Sequence, residues 1–137
     1  MKKLALCVMV LCLLALSGIS QAQSPVPPVP VLPNLTGHWN LQLTGVDPSG
    51  NVKTTTGVIM TLTQAPKNPA FYSGTITGDA EGTSITLVQE GADVNFTISS
   101  GSKTTLWGTG LAGMKKIELL WRDAEGNTGV GSAVPVK

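Results

Sequence analysis

From residue 35 onward, apolar and polar side chains alternate with a period of two, and Gly, Asn, Asp and Pro interrupt the alternation at short intervals. Trp39, Leu41 and Leu43 share one parity, and His38, Asn40, Gln42 and Thr44 take the other. Successive side chains of a strand point to opposite faces, so this is the pattern of a half-buried strand. Asp47-Pro48-Ser49-Gly50-Asn51 has turn chemistry. Val58, Met60 and Leu62 then alternate with Ile59, Thr61 and Thr63, which predicts a second strand with cover on both faces. Residues 65–69, Ala-Pro-Lys-Asn-Pro, predict a proline-flanked loop, and residues 71–77 a third strand. Gly78-Asp79-Ala80-Glu81-Gly82 predicts a turn into a fourth strand with Ile85 and Leu87, and Glu90-Gly91-Ala92-Asp93 a turn into a fifth with Val94, Phe96 and Ile98. A sixth strand over 104–110, a seventh over 116–122 and an eighth over 128–134 complete the series. No stretch carries the 3.6-residue apolar stripe of a helix. The prediction is an all-β, eight-stranded antiparallel up-and-down meander. Closing it into a barrel pairs the edge strands that otherwise invite aggregation. Eight strands suffice to close around an interior filled by side chains or by one small ligand. An open sandwich is the structural alternative.

The first 34 residues read differently. Met1-Lys2-Lys3 is cationic, Leu4 to Leu16 is apolar and uncharged, Ser17-Gly18 breaks the run, and Ser20-Gln21-Ala22 is a small-x-small site. That order predicts a signal peptide over residues 1–22, of bacterial type and cleaved near Ala22, and a secreted or periplasmic destination. The apolar run falls short of the roughly 20 residues a membrane span needs, so no stable membrane insertion is expected after cleavage. Residues 23–34 are proline-rich and predict an extended polyproline spacer. The β-domain occupies residues 35–137. Cys7 and Cys12 both lie in the leader, so the mature chain is expected to hold no disulfide and no thiolate metal site.

Charge and side-chain chemistry narrow the function. Without Lys2 and Lys3, seven cationic side chains face eight acidic ones, net −1. That balance lacks the basic footprint of a nucleic-acid binder. His38 is the sole histidine, and no Gly-x-Ser-x-Gly nucleophile elbow occurs. Most acids adjoin turn glycines; Glu118 lies between Ile117 and Leu119 and faces solvent if those two face the core. Asp123-x-Glu125-x-Asn127 resembles part of a calcium loop but lacks the twelve-residue pattern and its terminal Glu. The expectation is a protein that is not an enzyme, with no metal and no cofactor.

Aromatic residues are the stronger lead. Trp107 and Trp121 lie on adjacent predicted strands. Antiparallel pairing can set both rings on one face, as core filling or as the wall of a small apolar pocket. Phe71 and Tyr72 adjoin the proline-flanked loop as a lid or as a cap on the barrel end.

Leu35-Thr36-Gly37-His38-Trp39 opens the first strand with a Gly-x-Trp, which resembles the start of calycin barrels: lipocalins, avidins and small bacterial protease-inhibitor barrels. Gly74-Thr75-Ile76-Thr77-Gly78 looks like the Gly-Thr-Tyr region of avidins. The resemblance implies an eight-stranded barrel in which Gly37 and Trp39 are structural. In lipocalins the tryptophan packs at the barrel floor against an arginine from a late strand, which implies a Trp39–Arg122 stack; Arg122 as a solvated strand end is the alternative. Asn40-Leu41-Gln42-Leu43-Thr44 departs from the avidin polar pattern and residues 128–134 hold no Trp, so the resemblance does not extend to biotin. The expected function is a secreted, non-enzymatic module holding a small apolar or amphipathic ligand in the barrel, with Trp107, Trp121, Tyr72 and Phe71 as ligand-binding candidates. The alternative is a structural or interaction protein with a filled barrel.

Overall fold

A computed structural model of the chain describes residues 24–28, 31–78 and 82–137. The predicted signal peptide and the turn residues Asp79, Ala80 and Glu81 lie outside the described residues, as do Gln23, Val29 and Pro30 of the predicted spacer. The chain divides into two units, Met1–Pro30 and Val31–Lys137. Of the first, residues 24–28 are exposed and free of regular secondary structure, as their prolines require.

In the second unit the period-two alternation builds eight strands: β1 (Gly37–Val46), β2 (Val52–Ala65), β3 (Asn68–Thr77), β4 (Thr83–Glu90), β5 (Asp93–Ser100), β6 (Lys103–Ala112), β7 (Ile117–Asp123) and β8 (Thr128–Pro135). Each pairs antiparallel with the next, and β8 pairs back onto β1 from Trp39↔Pro135 to Val46↔Thr128. The sheet is therefore a closed barrel without a free edge, which settles the barrel against the sandwich. The expected loop over 65–69 contracts to a two-residue turn at Pro66 and Lys67, and β3 starts three residues earlier than predicted. Pro69 is tolerated because it sits at the strand start, beside the register shift between Gln64 and Ala65, where no ladder N–H is required.

The inward set is the apolar parity: Trp39 and Leu41 on β1, Val58, Met60 and Leu62 on β2, Tyr72 and Ile76 on β3, and so around the barrel to Leu119 on β7 and Ala133 on β8. Glycines complete the interior. Gly74 lies so close to β2 that an added Cβ would meet the Thr61 carbonyl oxygen at 1.6 Å, and at Gly108 and Gly129 it would meet the oxygens of Leu120 and Thr44 at 1.9 and 2.1 Å. Such close backbone approach is where a strand curves sharply enough to close a small barrel.

One end of the barrel is sealed. Gly37 (φ +138°) turns the incoming chain, a backbone region that glycine alone enters freely. The preceding Leu35 is fully buried. The Trp39 indole N–H donates to the Leu35 carbonyl (2.9 Å), the Leu35 N–H donates to the Tyr72 hydroxyl (3.4 Å), and the Gln64 amide donates to the same hydroxyl (3.2 Å). The buried Gln89 amide reaches the Pro33 carbonyl at 3.3 Å, so the last residues of the predicted spacer belong to the floor of the barrel. Tyr72→Phe removes the shared acceptor. The expected cost is about 1–2 kcal/mol, read as a lower denaturant midpoint at unchanged slope.

Two of the hairpins at the opposite end share one turn sequence, Asp-x-x-Gly-Asn: Asp47–Asn51 between β1 and β2, and Asp123–Asn127 between β7 and β8. In each, the Asp carboxylate accepts two backbone N–H groups and the Asn side-chain amide. Asp47 takes Ser49, Asn51 and the Asn51 amide at 2.8–2.9 Å, and Asp123 takes Glu125, Asn127 and the Asn127 amide at 2.7–2.9 Å. The segment that resembles part of a calcium loop is thus a hairpin turn whose first carboxylate binds its own backbone. The Asn51 amide, with the backbone N–H groups, holds the Asp47 carboxyl below its ordinary range. At Asp123, burial works to raise the carboxyl, and the Asn127, Glu125 and Gly126 donors together outweigh it and lower it. Lowered carboxylates stabilise the fold above their unfolded value, about pH 4, and that contribution is lost as pH falls through the folded value. The double variant D47N/D123N is expected to flatten the loss of thermal stability between pH 4 and lower pH, measured by circular dichroism melts.

Candidate functional site

The unplugged end opens into a cup. Inward-facing Leu41 and Leu43 of β1, Val58 of β2, Ile76 of β3, Ile98 of β5 and Leu106 of β6 form its wall. Thr55, Thr83, Ser100 and Thr105 bring hydroxyls to it. The cavity is about 230 Å³, and among the described residues no ionisable side chain lines it. It arises because β1, β3, β5 and β6 carry their last or first inward apolar residues here with no plug among the described residues, whereas the other end is filled by Leu35, Trp39 and Tyr72. The register shift between Ile98 and Ser99 brings Thr105 to the rim, where its hydroxyl donates to the Ile98 carbonyl at 3.2 Å.

An apolar cavity of about 150 Å³ holds a benzene molecule. The cup therefore has room for one ring with a short substituent, or a short alkyl chain. Such a wall would give a ligand affinity by burial, and the hydroxyls could orient one polar group.

None of the four aromatic candidates lines this cup. Tyr72 is buried at the opposite end, where its hydroxyl accepts from the Leu35 N–H. Phe71 is half-buried and pairs with Val88 on the outer parity. Trp107 and Trp121 do not share a face. The register sets Trp107 opposite Arg122 and Trp121 opposite Gly108. Trp121 points inward, and its ring lies across Gly129 and Gly45, where added Cβ atoms would come within 2.7 and 2.4 Å of it. Its indole N–H donates to the Val130 carbonyl at 3.1 Å. Trp107 points outward. Arg122 lies over Trp107, 5.4 Å from the ring centroid, and not over Trp39, which sits at the other end of the barrel. The expected Trp39–Arg122 stack is thus replaced by a Trp107–Arg122 stack. Trp39 is buried at the barrel floor, and Gly37 turns the chain into β1.

The remaining polar candidates lie outside the cup. His38 is on the outer face with its Nδ1 2.9 Å from the Thr61 hydroxyl, and Glu118 is exposed and paired with Lys116 at 2.8 Å. That pairing, the hydrogen bond first, lowers the Glu118 carboxyl. Two larger concavities, about 920 and 640 Å³, are open grooves on the outer wall. They would leave a small molecule more exposed to water than the cup would.

Sequence parity identifies the inward residues of the cup but not the space between them. The signal for it is the cluster of hydroxyl residues at one end of four strands, Thr55, Thr83, Ser100 and Thr105, against Tyr72, Gln64 and Gln89 at the other.

No protein-family model and no curated protein matches the chain. A solved structure described as a redesigned beta barrel aligns with a TM-score of 0.52 over 75% of this chain and 92% of its own, at 15% identity. The likeness concerns the fold: the chain is an eight-stranded antiparallel β-barrel.

Proposed function

We propose that this chain is an exported, non-enzymatic binding barrel whose mouth cup holds one small, uncharged, apolar or amphipathic molecule. The observation that carries the reading is the asymmetry of the barrel: one end closed by a buried, hydrogen-bonded plug, the other an apolar cup of about 230 Å³ with hydroxyls and, among the described residues, no charge. The placement of ionisable groups supports binding over catalysis. Asp47 and Asp123 bind their own turns, Glu118 pairs with Lys116, and His38 lies on the outer wall. The polarity of the two faces supports a life in water: Thr, Ser, Asn and Gln dominate the outer wall and the apolar set faces inward, the reverse of a transmembrane barrel. The Lys-rich start, apolar run and small-x-small site of residues 1–22 support export.

A panel of neutral single-ring and short-chain compounds, screened by native mass spectrometry, tests the reading. One-to-one binding is expected with Kd on the order of 0.1–1 mM, about 4–5.5 kcal/mol. Leu106→Trp, which fills the cup, is expected to abolish binding while keeping the fold. If no neutral compound binds, or if binding survives Leu106→Trp, the cup is not the site.

A specific observation favours one other reading, an interaction protein. Leu111, Leu120 and Val130 are 54%, 60% and 56% exposed on the outer faces of β6, β7 and β8. An adjoining set of exposed large apolar side chains is a feature of macromolecular contact surfaces. A defined oligomer in analytical ultracentrifugation that dissociates in Leu120→Glu supports that reading.

A further inference from the structure

The outer groove around Trp107 shares no lining residue with the mouth cup. We propose that it is a second site, which binds an acidic oligosaccharide built of uronic-acid units. Leu120 and the face of the Trp107 ring that Arg122 leaves uncovered support the apolar C–H face of a sugar ring there, and Arg122 holds its carboxylate.

Three observations lead to this chemistry. First, Arg122 is oriented. Its guanidinium lies over the Trp107 ring at 5.4 Å, a cation–π distance. Stacking fixes the plane and leaves the N–H fork at its edge free for a bidentate carboxylate. Among the described residues the Lys116–Glu118 contact is the one ion pair, so Arg122 has no carboxylate partner there. Second, among the described residues the groove is lined by no acid, and Arg122 is its single charged side chain. The site is therefore complementary to an anion. Third, Thr86, Thr97, Trp107, Arg122 and Thr128 are successive cross-strand partners from β4 to β8, forming one row on the outer wall. Their spacing is one strand interval, about 4.8 Å, close to one sugar ring along an extended chain. The threonine hydroxyls and Asn95 supply hydrogen bonds to ring hydroxyls on either side of the aromatic platform.

An acidic peptide offers the same charge but lacks the fit. Extended peptides bind sheets by adding a strand to a free edge, and the closed barrel has none.

The test is isothermal titration of the full mature chain with a galacturonic-acid tetramer, a neutral cellotetraose and a glutamate-rich peptide, with the Trp107 indole resonance followed by NMR. The tetra-uronate is expected to bind in the high-micromolar to millimolar range, to shift the Trp107 indole signal, and to weaken as salt is raised. Arg122→Gln is expected to weaken it at least tenfold while the fold is kept and the melting temperature falls by no more than several degrees, and Leu106→Trp to leave it unchanged, which separates this site from the cup. The proposal is overturned if the tetra-uronate does not bind, if Arg122→Gln binds it as well as the parent chain, or if the neutral sugar or the peptide binds equally tightly.

Discussion

Trp39→Ala is expected to remove about 3–5 kcal/mol of stability, while Trp107→Ala costs no more than about 1 kcal/mol. The two residues are chemically identical and differ only in where alternation places them. Trp39 is buried at the closed end, where its ring fills the barrel floor and its indole N–H holds the Leu35 carbonyl. Truncation opens a cavity beneath the plug and leaves that carbonyl without its donor, and the two losses add. Total stability of a domain is typically about 5–15 kcal/mol, so the variant stands near the edge of folding at 37 °C. Trp107 faces out and loses only a half-exposed stack with Arg122. Guanidinium denaturation followed by far-ultraviolet circular dichroism measures both. Equal destabilisation by the two substitutions would contradict the assigned faces.

Gly74→Ala has the second large effect, on the order of 3 kcal/mol. Adding one methyl normally helps a strand, since alanine restricts the unfolded chain more than glycine does. Here the added carbon meets the Thr61 carbonyl oxygen at 1.6 Å, the Thr61 carbonyl carbon at 2.8 Å and the Leu62 Cα at 3.3 Å. All three are backbone atoms of β2, so no rotamer change relieves the contact, and β2 and β3 must separate or slip. Gly113→Ala provides the control. Its nearest atom is the Lys116 oxygen at 3.2 Å, in the β6–β7 connection, and a change within about 1 kcal/mol is expected. Thermal melts of the two variants, side by side, distinguish a close-approach glycine from an ordinary one.

Much of this was legible in the residues. Alternation at Trp39-Leu41, Val58-Met60-Leu62 and Val94-Phe96-Ile98 assigns the inner face, and the absence of a tolerable edge argues for closure. The pairing of the tryptophans was harder to read. On β6 the inward set is Leu106, Gly108, Gly110 and Ala112, with three of the four too small to register as apolar pattern. Those small residues face inward because β7 sends Trp121 and Leu119 in beside them, and a barrel interior alternates large with small. With glycine counted as neutral, Trp107 passes for an inward residue. Register across a hairpin depends on turn length and bulges, which single-strand parity does not carry. The loop expected at 65–69 failed for a related reason: proline at a strand start beside a bulge costs no ladder bond. The plug is not legible in strand parity because Tyr72 meets Leu35 and Gln89 meets Pro33 across 37 and 56 residues of sequence.

The cup at the barrel mouth is tested most directly by methyl NMR of the leucine and isoleucine side chains, with and without a saturating neutral single-ring compound such as toluene. Shifts and intermolecular Overhauser contacts are expected at Leu43, Ile76, Ile98 and Leu106, with Ile117 and Leu35 unmoved. Contacts confined to the outer-wall residues Leu111 and Leu120, or no contact at any of these methyls at saturating ligand, would contradict a cup at the open end.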